Sequence, residues 1–132
     1  MIFVDASVFC AILLGEPDAE TLSAKLEDQD DLMTSAIAVY ETVAVISKSV
    51  PGDIKAARQD MARLMRSMKI RLVPIGDAER EVALDAFDRY GKGRHPAQLS
   101  MGDCLAYACA RTHGAALLFK GNDFNRTDIT VA

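Results

Sequence analysis

Short apolar runs alternating with helical stretches constrain this chain more than any other feature. Residues 2–4, 32–33, 70–75 and 115–119 are brief and rich in Ile, Val, Leu and Phe, as buried strands are. Between them, apolar residues recur at three- and four-residue spacing over 8–14, 19–28, 36–50, 53–68 and 78–90, and again over 100–113. Parallel strands need a crossover, and crossover helices cover both faces of the sheet, so the pattern predicts an α/β domain around a parallel sheet. Residues 129–131 add a candidate last strand.

The punctuation agrees. Gly15 to Asp18 breaks the first helical stretch, Thr34 and Ser35 are good caps for the third, and Pro51-Gly52 ends it. Gly114 is a natural stop for the helix over 100–113, and the polar segment 91–98, with two glycines and a proline, reads as the main loop.

At 132 residues the chain has room for one domain, 1–132. No apolar run approaches the roughly 18 residues needed to cross a bilayer, and no basic region precedes the short apolar start, so a membrane span and a signal peptide are not expected and the cytoplasm is. Cys10, Cys104 and Cys109, odd in number and without CxxC spacing, read as reduced and buried. His95 and His113 alone are too few to suggest zinc. A net charge of -4 predicts no global attraction to nucleic acid and leaves room for a local basic patch.

Ligand chemistry in a parallel sheet belongs at the carboxyl ends of the strands, which directs attention to acids there. Asp5 ends the first strand, and Asp123 follows the strand over 115–119. Each also has a local explanation, Asp5 as a helix cap and Asp123 in an Asx turn. Glu41 lies beside the apolar stripe of Ile37, Tyr40, Ala44 and Val45 with no basic residue one turn away, so it either needs a partner or edges into solvent. Asp103 stands in the first turn of its helix, where Ser100-Met101-Gly102-Asp103 forms a capping box.

Taken as a set, four carboxylates from two strand ends and two helices demand a cation if they converge. Oxygen ligands without histidine or thiolate select Mg²⁺ or Mn²⁺, and such ions suit phosphodiester hydrolysis by offsetting the charge that develops on phosphate and leaving oxygen. A phosphatase using Asp5 as nucleophile is a rival, although its usual second acid two residues later is here Ser7. A receiver domain, and a noncatalytic binding module whose acids are caps and surface charges, are the others.

Ile2-Phe3-Val4-Asp5-Ala6-Ser7, Tyr40-Glu41, the segment Met101 to Ala106 (Met-Gly-Asp-Cys-Leu-Ala) and Lys120-Gly121-Asn122-Asp123-Phe124 resemble, in order and spacing, a PIN-domain ribonuclease, more narrowly the VapC-type toxins of bacterial toxin–antitoxin pairs. The resemblance implies a three-layer α/β/α fold with a central parallel sheet, Mg²⁺- or Mn²⁺-dependent endoribonuclease activity, homodimers and a VapB-like antitoxin partner. It maps the central acids onto Asp5, Glu41 and Asp103, and the fourth onto Asp123 or Asn122. Ser7 matches a hydroxyl position near the metal. For an RNA substrate, Lys92, Arg94 and His95 in the polar loop, with Lys120, Asn122 and Arg126 around Asp123, are the candidate contacts. The helix around Met61 to Met68 and that from Ala19 to Leu26 offer apolar surface for an antitoxin or for the core.

Overall fold

A computed structural model describes residues 1–49 and 53–132. Four strands, β1 (Ile2–Val4), β2 (Leu32–Thr34), β3 (Arg71–Leu72) and β4 (Ala116–Leu118), form one parallel sheet in the order β3-β2-β1-β4. Six helices accompany them: α1 (Ala6–Leu13), α2 (Ala19–Glu27), α3 (Ala36–Ile46), α4 (Ile54–Ser67), α5 (Asp77–Tyr90) and α6 (Met101–Thr112). A 3₁₀ turn, Asp123–Arg126, follows β4.

Strand alternation builds the three layers. Phe3, Met33 and Leu117 are in register across the sheet and point to one face, where Ala86, Tyr90, Tyr107 and Ala108 of α5 and α6 cover them. Ile2, Val4, Leu32 and Leu118 point the other way, onto Phe9 of α1, Leu26 of α2 and Met61 of α4, with Val39 and Val43 of α3 alongside. Met61 is fully buried and Met65 and Met68 pack against the same core, so the methionines of α4 and Leu26 of α2 are interior residues. Cys104 and Cys109 are buried thiols pushed up to about 11 by desolvation, while Cys10 is half-buried; all three are free.

Two elements differ from expectation. The run over 70–75 yields only the two-residue edge strand β3: Ile70 and Val73 are buried, but Arg71 and Leu72, which pair with Met33 and Thr34, are exposed and have no outer neighbour. Residues 129–131 make a single bridge, Leu117 to Val131, beside β4. Ser35 caps α3 by accepting from Ala38 N–H at 3.2 Å, whereas Thr34 stays in β2 and its hydroxyl donates to Val4 C=O at 2.8 Å. The expected helix end at Pro51-Gly52 lies outside the described residues.

The chain leaves β1 toward β2 on one side and comes back to its other side as β4. The point where strand order reverses is therefore between β1 and β4, where a parallel sheet opens a crevice at its carboxyl ends.

Candidate active site

Asp5 sits at that point. Its N–H donates to Leu118 C=O of β4 at 3.0 Å, and its side chain caps α1: Ser7 N–H and Ser7 Oγ donate to Oδ2 at 3.0 and 2.6 Å. The cap role foreseen for Asp5 is real, and it does not exhaust the residue. Asp5 is only 8% exposed, and burial drives its carboxyl above the usual range, with Ser7 opposing the shift and Asp123 adding to it.

The other acids face the same place. Glu41, half-buried on α3, is raised by burial and then by the charges of Asp5 and Asp103. Asp103, half-buried in the first turn of α6, is raised by burial and by Asp5 and Asp123, against the hydrogen bonds of Ser100. These influences link all four carboxylates. Asp123 is the residue whose charge reaches Asp5 and Asp103, while Asn122 turns its Oδ1 to Asn125 Nδ2 at 3.1 Å.

No ion pair among the described residues involves Asp5, Glu41, Asp103 or Asp123. The base nearest in sequence to Asp123 on the strand side, Lys120, is committed elsewhere: its ammonium pairs with Glu16 and, at 3.0 Å, with Asp18. Lys120 thus braces the α1–α2 connection against the end of β4, its ammonium shared between two carboxylates. The Lys120 N–H donates to Ser7 Oγ at 2.9 Å. Ser7 accordingly joins Asp5 to the loop that carries Asp123.

The polar loop is anchored at the mouth of the site. Lys92 N–H donates to Leu99 C=O at 3.0 Å, next to Ser100, the cap of α6. Lys92 is exposed; Arg94 pairs with Asp88 at 3.2 Å and lies over the Phe87 ring; His95 accepts from Ala97 N–H through Nδ1 at 3.0 Å and packs edge-on to Tyr90. Arg126, in the same turn as Asp123, is exposed.

Oxygen donors alone, three of them at least partly desolvated and none with a basic partner among the described residues, are the donor set a hard divalent ion takes. As placed, no three His, Cys, Asp or Glu side chains among the described residues stand close enough to hold one ion. One reason is visible at Asp103, whose Oδ2 accepts from Ser100 N–H at 3.0 Å and so turns back on its own helix. The two roles of Asp103 separate by substitution. Asp103→Asn keeps an acceptor for the cap and is expected to melt near the wild type. Asp103→Ala should lose about 1 kcal/mol more. Both should lose cleavage alike, which paired melting and RNA assays check; equal activity of Asp103→Asn and the wild type would reduce the residue to a cap.

Gly102 was not legible as a site residue. Its neighbour in space is the Glu41 carboxylate, from a helix some sixty positions earlier, and helical periodicity carries no signal for that contact.

Comparison with known proteins agrees with this fold. The PIN domain family matches residues 2–129. A VapC ribonuclease of Rhizobium meliloti is 40% identical, over 98% of this chain and 99% of its own length, and the ribonuclease VapC of Mycolicibacterium smegmatis is 38% identical, over 96% and 95%. Among solved structures, the fold superposes on Mycobacterium tuberculosis VapC20, described as a Sarcin-Ricin loop cleaving toxin, with a TM-score of 0.78 at 21% identity, covering 100% of this chain and 98% of that one. A toxin–antitoxin complex from Klebsiella pneumoniae follows at a TM-score of 0.73 and 17% identity, covering 100% and 97%. With the family matched over residues 2–129 and 38–40% identity along nearly the full length of ribonucleases of this kind, the chain belongs to the PIN domain family and, within it, to the VapC ribonucleases.

Proposed function

We propose that the protein hydrolyses phosphodiester bonds of RNA with Mg²⁺ or Mn²⁺ held by Asp5, Glu41, Asp103 and Asp123, as the toxin of a toxin–antitoxin pair. The observation that carries the reading is the set of four carboxylates, each within electrostatic reach of another and none paired with a base. A divalent ion bound there supplies charge neutralisation and Lewis acidity at the phosphate. The chain's own residues supply alignment. Ser7 holds Asp5 Oδ2 and ties it to the backbone of Lys120, so the acid after β1 and the loop after β4 move as one unit.

A polyanion approaching four acids needs basic residues at the rim, and exposed Lys92 and Arg126, with Arg94 beside the loop, fill that role. With 6% aromatic residues and no tryptophan, the chain has few platforms for stacked bases, so recognition rests on RNA shape and a few hydrogen bonds. A VapB-like antitoxin inhibits in this reading by placing a guanidinium among the carboxylates, where it replaces the ion's charge. Tyr40, 73% exposed and next to Glu41, lines an apolar groove with Val39, Val43 and Ile54 beside which such a segment can lie. A second exposed apolar groove, with Leu84, Phe87 and Met101, suits the homodimer. The phosphatase alternative is disfavoured because Ser7 stands where its second acid belongs, and the hydroxyl is already bound to Asp5.

The test is cleavage of a mixed RNA pool by purified protein with Mg²⁺, Mn²⁺ or EDTA. Cutting that appears with either ion and stops with EDTA is expected. Cutting that continues unchanged in EDTA would overturn the ion's part in the reaction.

A further inference from the structure

Gly102 occupies the second position of α6, a regular right-handed helical site where its backbone needs no glycine. Glycine is a poor helix former, so its presence there asks for a reason in space rather than in conformation. The reason is Glu41. A Cβ built on Gly102 collides with the Glu41 carboxylate, lying 2.7 Å from Cδ and 2.8 Å from Oε2 and closer still to Oε1. The neighbour that would have to move is the end of a flexible side chain, so the helix survives a larger residue and the carboxylate is what shifts.

We infer that Gly102 is a positioning residue whose missing side chain is the seat of the Glu41 carboxylate, holding that acid against the first turn of α6 beside Asp103. Glu41 makes no ion pair among the described residues, and its carboxylate, reaching over from α3, lies where a side chain on Gly102 would have to be. The inference rests on the reading of Glu41 as a metal-holding acid for its functional consequence, but the seat itself is a steric fact that can be tested without any ion.

The experiment is a thermal-melting cycle in EDTA over wild type, Gly102→Ala, Glu41→Ala and the double variant, joined to Mn²⁺ titration calorimetry of wild type and Gly102→Ala. In the Glu41→Ala background, alanine at 102 meets no carboxylate and should raise Tm by about 2 °C through helix propensity. In the wild-type background the same change should raise Tm by less than it does beside Glu41→Ala, because there the carboxylate has to leave its place. Mn²⁺ affinity should fall about 10- to 100-fold in Gly102→Ala. Equal Tm shifts in both backgrounds would overturn the seat, and so would a folded Gly102→Ala that binds Mn²⁺ like the wild type. A wild type that binds no Mn²⁺ while the Tm shifts still differ between the two backgrounds supports the seat and counts against the metal reading alone.

Discussion

Asp5→Asn should reduce RNA cleavage by about 10³-fold or more while leaving the fold intact and raising the melting temperature of the metal-free protein. Two opposite effects on one residue follow from its surroundings. Asparagine keeps an oxygen that accepts from Ser7 N–H and Oγ–H, so the cap of α1 and the link through Ser7 to Lys120 persist. The charge, however, is gone. A carboxylate at 8% exposure is costly to hold ionised, and Asp123 makes it more so, which is why its carboxyl lies above the usual range. Removing that charge should relieve the fold and, in the proposed reaction, also take away a ligand of the ion. Cleavage rates beside melting curves in EDTA check both halves. Full activity would take Asp5 out of the site, and a lowered Tm would make it a structural cap first.

Asp5 and Asp123 were readable because parallel sheets place chemistry at strand ends, and a strand end is visible in sequence as an apolar run stopping at an acid. Asp103 was half readable: its capping box was plain, and the influence of Asp5 and Asp123 on the same carboxylate comes from distant segments. What stayed hidden depends on contacts between distant segments. Lys120 looked like a free cation because Glu16 and Asp18 lie more than a hundred residues before it. Gly102 looked like an indifferent residue in a helix because its reason is a side chain on α3. The run over 70–75 looked like an interior strand because composition does not report that β3 is last in the sheet, where Leu72 has no strand to cover it.

Saturating Mn²⁺ should raise the melting temperature and also reverse its dependence on pH. Asp5, Glu41 and Asp103 all have folded-state pKa values above their ordinary 3.8, 4.5 and 3.8. A group raised in this way holds its proton more tightly in the folded state. Its contribution is therefore fully present below the ordinary value and is lost as pH rises through the folded one. The metal-free protein should lose stability as pH rises above the ordinary carboxylate range. Asp18, Asp31, Glu79 and Asp128 are shifted the other way by Lys120, Arg71, the Gly76 N–H and Tyr107, so their contributions fade only in more acid solution and do not mask the slope in this window. An ion competes with protons for the same oxygens, so its affinity climbs as the carboxylates ionise. At a hundred times its Kd it adds about 2.7 kcal/mol, which for a domain of this size is roughly 8 °C. Melting curves across pH, with Mn²⁺ and with EDTA, should then slope in opposite directions, and Asp5→Asn should flatten both. Parallel slopes would mean that the ion and the protons do not share the four carboxylates, and the site would have to be sought elsewhere on the chain.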